Sequence, residues 1–284
     1  MTGHTVGDSL RECERLLDPV GSSAADALEI VSAISGIPKL RIRSRLESPM
    51  SDESVESIRC AAKSRAAGAP IQYAAGKAAF RHLLLKVNRS VLIPRPETEV
   101  LVDIVLERHG RTGGVGADLG TGSGAIALSL AQEGKFTRVI ATDQSEVALE
   151  IAHENARSLR DSLRCEIDFR LGVWTEPLAG ESVDVVVSNP PYIARAEMRE
   201  LPAEVREWEP SLALESGVDG LDATRAIALG APNVLRPDGL IVIEVDCRRA
   251  DVVAGILKGD GRYENVEIIP DLTGRSRFVS ALRR

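Results

Sequence analysis

The chain has 284 residues, enough for one large domain or two modest ones with a core that needs no covalent staple. Its 42 acidic side chains outnumber 35 basic ones, and the excess is local: residues 1 to 88 hold 10 acidic and 12 basic, leaving 32 acidic against 23 basic in the remainder. A region that acidic would have to hold nucleic-acid phosphates against its own field, so a nucleic acid is disfavoured as a partner.

In residues 9 to 67, apolar side chains recur at helical spacing, first Leu10, Leu16 and Leu17, then Ala25, Leu28, Ile30, Val31 and Ile34, with a break at Gly36-Ile37-Pro38. This spacing predicts a small helical domain over residues 1–79, which adds surface without any chemistry-bearing motif and is therefore expected to dock a substrate. Its basic stretch, Lys39 to Arg45, reads as the solvated side of a helix or loop. Next, Leu83-Leu84-Leu85 and Val91-Leu92-Ile93 flank Asn88-Arg89-Ser90, a pattern that predicts a short hairpin in a connector over residues 80–96. Over residues 97–284, strand and helix patterns alternate as in a doubly wound parallel α/β sheet, closing with strands at residues 265–269 and 277–280.

Within that last region, Asp118-Leu119-Gly120-Thr121-Gly122-Ser123-Gly124 leads into the strong helix former at residues 125–131. Glycines let a backbone approach a ligand closely, and a helix start offers free N–H groups to an anion. The following strand, residues 138–142, ends at Asp143, where a carboxylate takes the two hydroxyls of a ribose. A nucleoside-containing cofactor is expected. The loop alone does not choose between a nicotinamide dinucleotide and S-adenosylmethionine, because Gly120, Gly122 and Ala125 also satisfy the looser dinucleotide pattern.

The tetrapeptide Asn189-Pro190-Pro191-Tyr192 follows the apolar run Val185-Val186-Val187, which reads as a buried parallel strand. Ligands of open α/β sheets bind past such strand ends. The two prolines remove backbone donors, leaving carbonyls beside the Asn189 amide and the flat ring of Tyr192. The Asn189 oxygen and the Pro190 carbonyl are suited to accept the two hydrogens of a planar NH2 group while Tyr192 stacks on its plane. Hydride transfer needs no such holder, whereas methyl transfer from a sulfonium to a planar nitrogen does, so the chain reads as an N-methyltransferase working by in-line displacement. Asn189, Pro190 and Tyr192 are its expected catalytic residues. No metal is required, and His4, His82, His109 and His153 fall outside the motifs.

These residues resemble the peptide-chain release factor glutamine methyltransferases, which methylate the side-chain nitrogen of a glutamine in a Gly-Gly-Gln motif. The similarity covers Pro70-Ile71-Gln72-Tyr73 with Gly76 and Phe80, then Leu92-Ile93-Pro94-Arg95-Pro96-Glu97-Thr98-Glu99, the glycine loop, the tetrapeptide, and Glu204-Val205-Arg206 with Glu209-Pro210. It implies a seven-stranded Rossmann-like methyltransferase sheet and S-adenosylmethionine as cofactor, contacted by Gly120, Thr121, Gly122, Ser123, Gly124, Asp143, Trp174 and Asn189. It also implies a release factor as protein partner, with the glutamine held by Asn189, Pro190, Pro191 and Tyr192. The tetrapeptide by itself is shared with methyltransferases acting on adenine N6 or on small amines and amides. The chain departs from the family pattern at Val173, where an acidic residue is usual, and at Val245-Asp246-Cys247-Arg248-Arg249, where glycine and later glutamine are usual.

Pro96 followed by acids is ordinary helix capping, but capping alone does not explain Arg95 and the resemblance covers this stretch, so Arg95, Glu97 and Glu99 are expected at the cofactor or the covering segment, with Arg95 and Glu97 among the residues that bind the substrate. The connection between Tyr192 and Leu221 is longer than the usual ~12 to 15 residues and is expected to cover the substrate. Cys13, Cys60, Cys165 and Cys247 have no paired spacing, and no apolar run nears the ~18 residues of a spanning helix. A cytoplasmic monomer without disulfides, metal or membrane contact is expected.

Overall fold

The structure, a computed structural model, describes residues 4–21, 24–109 and 113–284, which include every expected site residue. Two compact units make up the chain: residues 1–78, 87–89 and 202–208 form the first, and residues 79–86, 90–201 and 209–284 the second.

The first unit is helical. Helix α1 (Val6–Leu17) opens on a capping box in which Thr5 and Asp8 each accept the other's backbone N–H. Helix α2 (Ala24–Ser35) stops at Gly36, whose φ of 71° is left-handed, and α3 (Lys39–Ile42), α4 (Asp52–Ala66) and α5 (Ile71–Ala75) follow. The apolar stripes of these helices meet in one core around Leu17, Ile30, Val31, Ile42 and Ile58. Cys13 lies in that core, and burial pushes its thiol up to about 12. Arg65 of α4 bonds Asp26 and Glu204, each at 2.8 Å, while Arg41, Arg43 and Arg45 stand exposed.

Strands β1 (Lys77–Phe80) and β2 (Leu83–Lys86) pair in a two-stranded sheet. The turn is therefore at Arg81-His82 and not at Asn88-Arg89-Ser90, and Val91 to Ile93 forms no strand. Arg81 takes the left-handed conformation this tight turn needs, with φ at 51°. Glu99 accepts its backbone N–H at 3.0 Å, and its guanidinium is paired with Glu133 and Asp103.

Helix α6 (Pro96–Arg108) leads into the main sheet. Its elements run β3 (Val115–Leu119), α7 (Ala125–Glu133), β4 (Arg138–Asp143), α8 (Glu146–Leu159), β5 (Glu166–Leu171), β6 (Val183–Ser188), α9 (Ala203–Trp208, part of the first unit), α10 (Asp222–Gly230), β7 (Leu235–Glu244), α11 (Ala250–Asp260), β8 (Tyr263–Pro270) and β9 (Ser276–Arg283). Seven strands lie in the order β5-β4-β3-β6-β7-β9-β8. Every residue of β6 is buried, as a strand covered on both faces requires. Alternate side chains feed two cores, Ala117, Leu119, Val186 and Ile241 on one face and Val139, Ala141, Val185 and Val187 on the other. The sheet is mixed rather than wholly parallel: β9 runs antiparallel to both β7 and β8. No helix joins β8 to β9, only a short turn in which Asp271 accepts the N–H groups of Thr273 and Arg275, and such a link returns the chain antiparallel. Strand order reverses at β3, which pairs with β4 on one side and β6 on the other, so a crevice opens between the carboxyl ends of β3 and β6. Among the described residues no helix is long and apolar enough to cross a membrane.

Candidate active site

Asp118 of β3 lies beside Val187 of β6, so the two loops that follow these strands, residues 120–124 and 189–192, leave the sheet side by side. Past them is a cavity of about 220 Å³. Gly120, Thr121, Gly122 and Ser123 line it from one loop, Asn189 and Pro191 from the other, and Asp143 from the end of β4. Trp174, Val91, Leu92, Ile126 and Val147 supply apolar wall, and Arg95, Thr98, Pro210 and Leu212 also line it.

The glycine loop is built for close approach. Gly120, Gly122 and Gly124 have φ of 76°, 55° and 85°, where side chains are strained, and a Cβ on Gly120 would come within 3.2 Å of the Trp174 ring. Thr142 accepts the N–H groups of Gly120 and Thr121, and Asp143 accepts those of Gly122 and Ser145, each at 2.9 Å. Burial raises the Asp143 carboxyl from its ordinary range, and those backbone donors oppose the rise. Beneath the loop, fully buried Asp118 accepts from Thr121 Oγ1 at 2.6 Å and Ala127 N at 3.1 Å through Oδ2, while Oδ1 has no partner. Burial outweighs both donors and pushes this carboxyl up to about 7. The Ala127 N–H at the start of α7 is thereby already occupied.

Asn189 Nδ2 donates to Thr98 Oγ1 at 3.0 Å, and Thr98 Oγ1 donates to Glu244 Oε2 at 2.7 Å. Glu244 closes β7 and is 1% exposed; burial pushes it up to about 7. Tyr192 is pushed up to about 12 by burial, with Glu244 adding to the rise, and stays a neutral phenol. Arg95 Nη2 reaches Glu209 Oε1 at 2.6 Å, tying the start of α6 to the segment that carries Pro210 and Leu212. Glu97 is exposed on the first turn of α6 and does not line the cavity; Gly124, Pro190 and Tyr192 stand next to lining residues without lining it themselves. From the long connection after Tyr192, Pro210, Leu212 and Ala213 line the cavity.

Residues 96–204 match the methyltransferase small domain, and residues 8–76 match the PrmC N-terminal domain. The release factor glutamine methyltransferase of Moorella thermoacetica is 44% identical over 245 residues, 86% of this chain and 86% of its own. That of Cereibacter sphaeroides is 41% identical over 278 residues, 97% of this chain and 98% of its own. The chain belongs to the release factor glutamine methyltransferases. A solved methyltransferase of Pyrococcus furiosus, 19% identical with a TM-score of 0.52 over 72% of this chain and 90% of that one, has the same Rossmann-like fold.

As a release factor glutamine methyltransferase family member, the chain is a methyltransferase, and the nicotinamide alternative left open by the glycine loop falls away. Sequence reasoning missed Asp118, Thr98, Glu209 and Glu244 as parts of the site. Thr98 and Glu209 stood inside quoted motifs without a role, and Glu244 gave one signal, an acid directly after the apolar run Leu240-Ile241-Val242-Ile243.

Proposed function

We propose that this enzyme transfers a methyl group from S-adenosylmethionine to the side-chain amide nitrogen of a glutamine, within a Gly-Gly-Gln motif of a peptide-chain release factor. The observation that carries this reading is the placement of Asn189 on the same cavity as the glycine loop and Asp143, with its Nδ2 already engaged by Thr98. An amide in that state has its oxygen left to accept.

The cavity suits the cofactor on its own chemistry. Apolar walls at Trp174, Ile126 and Val147 fit an adenine ring, Gly120 and Gly122 leave the space a Cβ would narrow, and the Asp143 carboxylate suits a ribose diol. S-adenosylmethionine supplies an electrophilic methyl on its sulfonium. Asn189 Oδ1 and the Pro190 carbonyl accept the two N–H bonds of the glutamine amide, holding its nitrogen in one orientation and dispersing the positive charge that grows on it as the new N–C bond forms. In this reading the Tyr192 ring, next to the lining residue Pro191, packs on the amide plane once the glutamine is bound. The surplus proton leaves the methylated nitrogen to water, so no basic side chain is needed.

Residues 97–284 carry the chemistry in this reading, residues 80–96 connect, and residues 1–79 dock the partner. The release factor is a cytoplasmic partner, and the enzyme acts on it as a monomer.

Asn189→Ala tests the assignment. Its bond to the substrate strengthens as charge develops, so the expected loss is in kcat, roughly 10²–10³-fold as for removal of one oxyanion-hole group, with S-adenosylmethionine affinity by calorimetry changed by no more than a few-fold. Near-normal turnover refutes the role given to Asn189.

A further inference from the structure

The buried pair behind Asn189 has no direct place in the displacement. Thr98 sits in the first turn of α6 and Glu244 at the end of β7, 146 residues apart in sequence, yet they meet at 2.7 Å with Thr98 between Glu244 and Asn189. We infer that Thr98 and Glu244 are positioning residues for the methyl transfer, fixing which way round the Asn189 side-chain amide faces.

The inference follows from donor counting. An ionised carboxylate only accepts, and a threonine hydroxyl has a single hydrogen. With that hydrogen committed to Glu244, Thr98 presents only lone pairs to Asn189, so Asn189 must offer its NH2 to Thr98 and keep Oδ1 for the cavity. A protonated Glu244 reverses the chain. It donates to Thr98, the Thr98 hydrogen turns to Asn189 Oδ1, and the amide flips so that its NH2 meets the substrate NH2, donor against donor. Thr98 is 4% exposed and Glu244 1%, so water does not compete for these bonds. Around Glu244 the charged groups are Arg277 from β9 and Arg95 and Glu97 from the start of α6, with the neutral Tyr192 ring on the loop after β6. Arg277 and Arg95 favour the ionised form, while burial and Glu97 oppose it, bringing the group to about 7. Orientation of Asn189 is therefore poised near neutrality, correct above it and reversed below.

The inference rests on the glutamine-methylation reading for its consequence, but its direct readout does not need the acceptor. In the 15N-labelled protein, the side-chain Nδ2 proton pair of Asn189, assigned by its loss in Asn189→Ala, is followed by NMR. At alkaline pH, Thr98→Val is expected to shift this pair and speed its exchange with water, whereas Thr98→Ser keeps it as in the wild type. Lowering the pH through about 7 moves the wild-type pair, and Glu244→Gln abolishes that titration. Retained S-adenosylhomocysteine binding by calorimetry shows that the variants are folded. With a purified release factor, Thr98→Val lowers kcat roughly tenfold or more at saturating S-adenosylmethionine, Thr98→Ser restores it, and the acidic limb of the kcat–pH profile disappears in Glu244→Gln. An Asn189 pair unmoved by Thr98→Val, or a titration that persists in Glu244→Gln, overturns the inference. A wild-type enzyme that leaves the release factor unmethylated, while the pair behaves as described, overturns the functional reading instead.

Discussion

Asp118 and Glu244 are two carboxyls that burial holds up to about 7, and both bear on how stability varies with pH. A carboxyl whose folded value lies above its unfolded one favours the folded state while it is protonated. That contribution is full below the unfolded value near 3.8 for Asp118 and is lost as pH rises through about 7. At about 1.4 kcal/mol per unit, the rise corresponds to something on the order of 4 kcal/mol. Asp118→Asn keeps an oxygen for the Thr121 and Ala127 bonds and cannot ionise, so urea midpoints measured from pH 5 to pH 8 are expected to fall less steeply in the variant than in the wild type. An equal or steeper fall would contradict the assignment of the slope to Asp118. At this scale the sequence was informative only where the signal is local. That the glycine loop, Asp143, Asn189 and Pro191 reach one cavity was legible because each stands in a short run whose conformation depends on its own residues. The Asn189–Thr98–Glu244 chain was not, because it exists only once the start of α6 and the ends of β6 and β7 have been brought together.

The alternation of strands and helices after Glu97 was legible from hydrophobic periodicity, and the errors fall where long-range contacts decide. The turn at Arg81-His82 has none of the Asn-Gly or Gly-rich signals of a tight hairpin; its left-handed residue is held by acids at positions 99, 103 and 133. A similar non-local tie fixes the connection after Tyr192. Arg249, at the start of α11, bonds Glu197 at 2.8 Å, Asp246 at 2.7 Å and the Asp219 carbonyl at 2.7 Å, while Gly220 sits so close to the Tyr192 carbonyl that a Cβ would come within 2.5 Å. Glu197 in turn accepts the Ala194 N–H, and the Gly217 carbonyl accepts that of Arg195. The Val245 to Arg249 stretch, where the chain departs from the family pattern, thus carries an ionic tie to the loop that follows the tetrapeptide. Arg249→Ala leaves Glu197 and Asp246 with Arg248 alone, an exposed partner. Hydrogen exchange of the Ala194 and Arg195 amides is expected to speed up at least several-fold in this variant, with β6 unchanged. Unaltered exchange at both amides would show that the tie does not hold the loop.

For the whole molecule, the uneven charge has a use in the proposed division of labour. The acidic remainder gives no general attraction for nucleic acid, whereas the helical unit exposes Arg41, Arg43 and Arg45 together. If that unit docks the protein partner, reversing these three charges to glutamate is expected to raise KM for the intact release factor about tenfold or more, with kcat on a short glutamine peptide and S-adenosylmethionine affinity unchanged. An unchanged KM would remove this face from the docking surface. The proposed function stands or falls on the atom that receives the methyl group. Mass spectrometry of a purified release factor, after incubation with the wild-type enzyme and methyl-labelled S-adenosylmethionine, is expected to place the label on the side-chain nitrogen of the glutamine in its Gly-Gly-Gln motif; a label on a nucleobase or another side chain, or none on the release factor, would contradict it.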